Sequence, residues 1–207
     1  FTAARAIADA ARRMHEGAAA LSGALAGRLE SDIGTVRVTT SEVAAAWLLP
    51  PVLAALQVAE PGIAIELVAS NRISNLLRRE ADIAVRMVRP AQGSLVARRI
   101  GEIPIGAYAH ERYLARAGVP RRPQDLLEHR LVGYDTDDTL VRGFAAMGFP
   151  VARERFAPRT DSHVAYARLV AEGAGIGFLA SYTTARLPGL VRVLPELPVP
   201  PLPCWLA

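Results

Sequence analysis

Hydroxyl, amide and imidazole side chains stand at the starts of three predicted helices, and an arginine ends a predicted strand. Side chains of these types cap helix N-termini, where unpaired backbone N–H groups favour an anion or a carbonyl oxygen. An arginine beside them can pair with a carboxylate. The pattern therefore predicts a binding site for a small ligand. The candidate residues are Thr40, Ser41, Ser70, Asn71, Arg86, Ser162 and His163.

Each candidate residue also has a purely local explanation. Serine, threonine and asparagine are ordinary helix caps, and His163 at a helix start can make only local bonds. Arg86 can equally form a surface ion pair with a nearby acid. The predicted positions of the caps, at the carboxyl ends of strands, favour binding, because a second hydroxyl beside the capping one then faces a crevice.

The elements that position these residues come first from the segment 36–86. Short apolar runs over 36–38, 63–68 and 82–86 predict strands. A capping box over Thr39-Thr40-Ser41-Glu42 predicts a helix toward Leu56, and a second helix is predicted over 73–80. This βαβαβ pattern predicts parallel strands with every helix start at the carboxyl edge of the sheet.

A second α/β set follows over residues 105–190. Asp161-Ser162 caps a predicted helix that stops at Gly173, and an apolar strand follows over 176–179. Extended stretches over 95–108 and 190–207 read as crossovers between two lobes. We therefore expect lobe I over 34–101 and 196–207, lobe II over 102–195, and a ligand cleft between them.

Composition excludes several kinds of chemistry. All 24 basic residues are arginine, so a P-loop, a Schiff-base lysine and an S-x-x-K nucleophile are impossible. No G-x-S-x-G pentapeptide occurs, and the four histidines and single cysteine lack metal-ligand spacing. The net charge of +4 is spread along the chain, which indicates a solvated surface more than a nucleic-acid footprint. We expect no enzyme, metal site or cofactor.

The sequence also predicts a cytoplasmic location. Apolar stretches are broken before the roughly 18 residues that a membrane helix needs, and residues 1–30 carry charges throughout, unlike a secretory signal. Cys204 is the single cysteine, so no internal disulfide can form, which fits a reducing compartment.

Residues 1–30 differ from the rest of the chain and predict a long dimerisation helix. Over about three heptads, the spacing of the apolar residues fits a coiled coil with a second copy of the chain. An amphipathic helix packed on its own domain is the alternative. The seam consists of Ile7, Ala11, Met14, Ala18, Leu21 and Leu25.

Several motifs in order resemble one family. They are F-T-A-A-R leading to A-R-R-M, G-T-V-R-V-T-T-S-E, L-L-P-P-V-L-A-A-L with E-P-G-I-A-I-E-L, L-L-R-R-E-A-D-I-A-V-R, and V-A-E-G-A-G-I-G-F-L-A. On these motifs nearly the whole chain resembles the linker helix and effector-binding domain of a LysR-type transcriptional regulator. The resemblance implies two Rossmann-like lobes joined by two crossover strands, as in type 2 periplasmic binding proteins. It also implies an effector site between the lobes, with Thr40, Ser41, Ser70, Asn71, Ser162 and His163 at positions that commonly line it.

The chain also departs from that family. The winged helix-turn-helix expected before the linker helix is absent, Arg5 stands where a glycine is usual, and the chain stops at Ala207 before an expected final helix. We therefore expect a fragment whose parent protein binds DNA through the missing N-terminal domain.

The resulting hypothesis is the effector-sensing and dimerisation portion of a bacterial regulator. It is expected to bind a small, carboxylate-bearing metabolite, with a neutral carbonyl compound as the alternative ligand. It is also expected to form a dimer or tetramer through the N-terminal helix and the lobes. A solute-binding protein that serves a transporter is the alternative, although it would need export. An enzyme on the same fold is disfavoured, because the chain lacks lysine, a paired acid and base, and metal spacing.

Overall fold

The computed structural model describes residues 34–71, 81–90 and 96–207. The predicted dimerisation helix over 1–30 and the predicted helix over 73–80 lie outside these residues. In chain order the elements are β1 (Gly34–Thr40), α1 (Glu42–Trp47), α2 (Leu49–Ala59), β2 (Ile63–Ala69), β3 (Ile83–Arg86), β4 (Arg98–Ile103), β5 (Ile105–His110), α3 (Glu111–Ala117), β6 (Leu131–Gly133), α4 (Thr139–Ala146), β7 (Phe156–Arg159), α5 (His163–Ala171), β8 (Gly177–Ala180), α6 (Ser181–Thr184), β9 (Leu190–Val193) and β10 (Leu202–Leu206).

The first lobe is built on a five-stranded sheet with the strand order β2-β1-β3-β10-β4. Strand β1 pairs in parallel with both β2 and β3, as the βαβαβ pattern predicts. Strand β10 returns from the end of the chain and lies antiparallel between β3 and β4. Because β1, β2 and β3 run in the same direction, their carboxyl ends share one edge of the sheet.

The second lobe contains a three-stranded sheet, β8-β5-β9, and a parallel pair, β6-β7. A parallel bridge between Leu131 and Ile176 connects the two groups of strands. Phe144 and Phe156 pack edge to face with a centroid separation of 5.7 Å, and both are almost completely buried. Phe156 is the first residue of β7, the strand that precedes α5.

The segment for which the capping box predicts one helix forms two helices, α1 and α2. The first helix ends at Trp47, and α2 begins at Leu49 with a proline in its first turn. Pro50 and Pro51 have no backbone N–H, so they cannot continue the hydrogen-bond ladder of α1, although a first helical turn tolerates them. The prolines therefore redirect the chain about two turns after the first cap.

The α/β class and the arrangement in two lobes are confirmed. The chain passes from the first lobe to the second at Pro104, between β4 and β5, and returns over residues 194–201, between β9 and β10. The lobe boundaries over 34–101, 102–195 and 196–207 stay a prediction, although β4 extends the first sheet to Ile103. In the described part of the chain, no helix has the length and apolarity to cross a bilayer.

Tyr166 fastens α5 to the sheet of the second lobe. Its side chain is 2% exposed, and its hydroxyl oxygen accepts a hydrogen bond of 2.8 Å from the backbone N–H of Phe178. Replacing Tyr166 with phenylalanine leaves that N–H without a partner in the core. We expect Tyr166→Phe to lower the free energy of unfolding by about 1–3 kcal/mol, measured by urea denaturation.

Tyr134→Phe is the matched control for this prediction. Tyr134 stacks on Tyr166 at 4.8 Å, but its hydroxyl makes no hydrogen bond with another described residue. Its replacement should change the free energy of unfolding by less than about 0.5 kcal/mol. Equal losses in the two variants would show that the Tyr166 hydroxyl does not fasten the helix.

Candidate ligand-binding site between the lobes

A buried cation lies where β1 and β3 end. Arg86 is only 4% exposed, and its guanidinium donates to the backbone oxygen of Ser70 at 2.5 Å and to Oγ1 of Thr39 at 2.8 Å. The third guanidinium nitrogen, Nε, is buried and has no hydrogen-bond partner among the described residues. Burial lowers the pKa of Arg86, and among the described residues no carboxylate forms an ion pair with it. Because arginine stays protonated in proteins, this edge of the sheet carries a positive charge that the described residues do not neutralise.

The two threonines at the end of β1 have different surroundings. Thr39 donates its hydroxyl hydrogen to the backbone oxygen of Val68 at 3.2 Å and accepts from Arg86. Thr40 is completely buried, and its hydroxyl donates to the backbone oxygen of Val85 at 2.9 Å. Thr39, which the sequence analysis did not select, is therefore the threonine in contact with the buried cation. A role for Thr40 in ligand binding stays a prediction.

The start of α1 is capped from two sides. Ser41 accepts a hydrogen bond from the backbone N–H of Ala44 at 3.4 Å, which confirms it as the N-cap. The side-chain oxygen of Asn71 accepts from the backbone N–H of Glu42 at 3.1 Å, which links the end of β2 to this helix. These backbone donors are thus already engaged within the chain, so they are not available to a ligand in this state.

The start of α5 meets the start of α1 across the two lobes. Ser162 accepts from the backbone N–H of Ala165 at 3.4 Å, which confirms it as an N-cap. Its hydroxyl also donates to the Glu42 carboxylate at 3.4 Å, a contact between residues 120 positions apart in the sequence. The N-cap of α5 therefore touches the first residue of α1 directly, and a ligand cleft at this place stays a prediction.

His163 lies beside this contact and is partly buried. Its ring packs against Tyr134 with a centroid separation of 5.1 Å. Burial lowers the pKa of His163, and the negative charges of Asp137, Glu42 and Asp161 oppose that shift. The imidazole is therefore held in its neutral form more than an exposed histidine would be.

Asp161, the residue before Ser162, fixes the loop that leads to α5. It accepts hydrogen bonds from the hydroxyl of Thr136 at 2.6 Å and from the backbone N–H of Asp135 at 2.8 Å. The pKa of Asp161 is lowered to about 2, chiefly by the hydrogen bond from the Thr136 hydroxyl. The Asp161 carboxylate thus stays charged at physiological pH and orders the approach to the helix start.

An apolar contact completes the boundary between the lobes. Trp47, at the end of α1, packs against a cluster of the second lobe that contains Tyr166 and Val170. Beside it lies an open groove of about 460 Å³, and a second concavity of about 300 Å³ lies in the second lobe. The groove beside Trp47 is lined by Ala46, Trp47, Pro50, Pro51 and Arg186. The concavity in the second lobe is lined by Tyr113, Arg116, Ala117, Arg130, Gly173 and Ala174.

The structure brings most of the predicted residues into two neighbouring groups. Arg86 and Ser70 meet at the sheet edge, and Ser41, Asn71 and Ser162 meet around Glu42. Thr39 and Glu42 were not among the predicted site residues, although both belong to the predicted capping box. In the described part of the chain, no group of histidine, cysteine and acidic residues could hold a metal ion. Assignment of these residues to effector binding stays a prediction.

The lowered pKa of His163 predicts a pH dependence of stability. Below the ordinary value of 6.5 the unfolded chain binds a proton that the folded chain resists, so folding loses free energy as the pH falls. We expect His163→Gln to flatten the fall in stability below about pH 6.5, measured as the difference from wild type in urea denaturation between pH 7.5 and 5. Parallel curves for the two proteins would contradict this account of His163.

Comparison with known proteins identifies relatives along most of the chain. The family described as the LysR substrate binding domain matches residues 30–207. The HTH-type transcriptional regulator PtxR of Pseudomonas aeruginosa is 29% identical over 176 residues, which cover 81% of this chain and 55% of PtxR. The HTH-type transcriptional activator AaeR of Escherichia coli is 27% identical over 151 residues, which cover 71% of this chain and 48% of AaeR. The chain spans about half the length of these relatives.

Solved structures show the same fold. CrgA, a LysR-type transcriptional regulator from Neisseria meningitidis, superposes with a TM-score of 0.74 at 24% identity, covering 95% of this chain and 68% of CrgA. The CrgA regulatory domain gives a TM-score of 0.73 at 25% identity, covering 84% of this chain and 88% of that domain. These matches favour a regulator domain over a solute-binding protein that serves a transporter.

Proposed function

The chain belongs to the family of LysR substrate-binding domains, and we propose that it is the effector-sensing and dimerisation portion of a bacterial LysR-type DNA-binding transcriptional regulator. Its ligand is a small anionic metabolite that binds between the lobes. The residues proposed to bind it are Thr40, Ser41, Ser70, Asn71, Arg86, Ser162 and His163, joined by Thr39.

The observation that carries this proposal is the buried, uncompensated charge of Arg86. A buried guanidinium normally has a carboxylate partner, because removing an ion from water is costly. Here the described residues supply only a backbone oxygen and the Thr39 hydroxyl. A ligand carboxylate would supply the missing charge and can accept two hydrogen bonds from one guanidinium. Arginine rather than a helix start therefore selects the ligand.

The contact between Glu42 and Ser162 suggests how binding alters the relation of the two lobes. It is a single long hydrogen bond at 3.4 Å between partly buried groups, so it stabilises the observed arrangement of the two lobes only weakly. A ligand that binds one arrangement more tightly than another shifts the population toward it. We propose that this shift repositions the subunits of a dimer or tetramer, and with them the DNA-binding domains of the regulator.

This function involves no catalytic step and no cofactor, and it operates in the cytoplasm. The relatives are transcriptional regulators, which supports that assignment. Self-association through residues 1–30 and through the lobes is proposed on the heptad spacing of the N-terminal seam.

The ligand class is tested by a calorimetric and thermal-shift screen of the 207-residue chain. Acetate, benzoate and succinate are compared with acetamide, benzamide and succinamide, which have nearly the same shapes without the charge. We expect at least one acid to raise the melting temperature and its amide to bind at least about tenfold more weakly, because a charge-assisted hydrogen bond is lost. A response to neutral or cationic compounds alone would contradict the proposal that the ligand is anionic.

The role of Ser162 is tested with Ser162→Gly. Glycine is a tolerated N-cap, so α5 should lose only a few tenths of a kcal/mol, whereas the hydroxyl at the boundary between the lobes is removed. We expect the affinity for the bound acid to fall about fivefold. Ser181→Gly, at the exposed start of α6, is the matched control and should leave the affinity unchanged. If both variants bind the acid as tightly as wild type does, Ser162 caps α5 but does not contribute to ligand binding.

Self-association is tested by size-exclusion chromatography with light scattering. A dimer has twice the 22.1 kDa of one chain. Replacing Leu21 with glutamate puts a charge into the predicted seam, so we expect the mass to fall to that of a monomer. An unchanged dimer in this variant would place the interface elsewhere, and a monomeric wild type would refute the dimerisation role.

A further inference from the structure

Two unpartnered N–H donors stand on neighbouring strands at the edge of the first lobe. They are Nε of Arg86 on β3 and Nε1 of Trp205 on β10, and both are buried with no hydrogen-bond partner in the part of the chain that the structure describes. Buried polar groups are nearly always satisfied, so two such donors in adjacent positions need an explanation. Neither Trp205 nor this combination was suggested by the sequence.

The strand pairing places the two side chains on the same face of the sheet. Arg86 and Trp205 are direct partners in the antiparallel register of β3 and β10. Side chains at directly opposed positions project from one face with their Cβ atoms about 5 Å apart. Thr39, which contacts the Arg86 guanidinium, shares this face. One ligand group can therefore reach both strands.

The chain departs from regular pairing at this position. The register between β10 and β4 shifts between Cys204 and Trp205, so the sheet carries a bulge beside the tryptophan. Bulges re-aim side chains and are frequent next to binding sites. The residue left without a partner is Ile100 of β4, so the irregularity lies beside Trp205 on the neighbouring strand.

A second cation covers the indole ring. The guanidinium carbon of Arg89 lies 5.6 Å from the centroid of the Trp205 ring. Arg89 is exposed and Trp205 is partly exposed, so the arginine can swing away and uncover the ring. A cation over an aromatic face at an exposed site is held weakly. Arg89 can therefore exchange its contact with the ring for a contact with an anion.

From this geometry we propose that Trp205 and Arg86 together bind a carboxylate group of the effector. One carboxylate oxygen accepts from the indole N–H and the other from Nε–H of Arg86, while Arg89 adds a second positive charge at the entrance. This inference rests on the proposed function and deepens it. It assigns recognition of the acid group to the first lobe alone, and it names a residue of the returning strand as a ligand contact.

The direct test follows the indole N–H of Trp205 by NMR. The chain has two tryptophans, so Trp47→Phe leaves the Trp205 indole as a single resonance in the nitrogen-15 spectrum. Titration uses the acid with the strongest thermal shift among acetate, benzoate and succinate, and then its amide. We expect the indole proton to move downfield and to saturate at the dissociation constant that calorimetry gives for this variant. The amide should produce a smaller shift.

Two substitutions test the donors separately. Trp205→Phe removes the N–H and keeps an aromatic ring, and Arg86→Lys keeps the charge but removes Nε–H. We expect each to weaken binding of the acid about tenfold, which is the worth of a hydrogen bond to a charged group. Arg98→Lys, at an exposed position of the same sheet, is the matched control and should bind as wild type does. Using two variants keeps the test decisive if one of them fails to fold.

The possible outcomes separate this inference from the proposed function. If the acid binds wild type, but the indole resonance stays still and both variants bind as tightly as Arg98→Lys, the inference is overturned and the function stands. If the amide moves the indole resonance as much as the acid does, a carboxylate is not what these donors recognise, and the inference is overturned. If no acid binds wild type, both the inference and the anionic ligand are refuted.

Discussion

Parallel pairing of β1 with β2 and β3 is the constraint on which the candidate site depends. It forces three strand ends to one edge of the sheet, where Thr39, Ser70 and Arg86 come within hydrogen-bond distance although they are up to 47 positions apart in the sequence. An isolated strand would leave the Arg86 guanidinium in water. The parallel sheet buries it instead, and so turns an ordinary side chain into a charge that a ligand can satisfy.

The boundary between the lobes combines one long hydrogen bond with two sets of apolar contacts. The hydrogen bond from Ser162 to Glu42 is long, whereas Trp47 packs against a buried cluster of the second lobe. Val85, Ile103 and Cys204 of the first lobe also form one buried cluster with Ala180 of the second. Because apolar packing is not directional and the second lobe has a separate core, the lobes can shift against each other without unfolding. Weak contacts between stable units are what a population shift requires, since a small difference in ligand affinity is then enough to favour one arrangement.

Local signals in the sequence predicted the caps well and the long-range contacts poorly. Ser162 was predicted as an N-cap from its neighbours alone and is confirmed, whereas the helix predicted from the box Thr39–Glu42 begins two residues later, with Ser41 as its N-cap. The single helix predicted toward Leu56 is instead two helices, because the prolines after Leu49 outweigh the apolar spacing. The contacts of Trp205 could not be foreseen, since they depend on the antiparallel return of β10 beside β3, which no local pattern encodes. The alternation of strands and helices thus predicts which strand ends lie at this edge of the sheet, but not every side chain that lies there.

The most direct measurement of the central claim, that an anion between the lobes changes their arrangement, is the distance between them in solution. Spin labels at Gln57 and Arg121, which are exposed in the first and second lobes, can be placed in a Cys204→Ser background and measured by double electron–electron resonance. The account predicts that a saturating acid shifts or narrows the distance distribution while its amide does not. Identical distributions with and without the acid, at concentrations where calorimetry shows full occupancy, would contradict it.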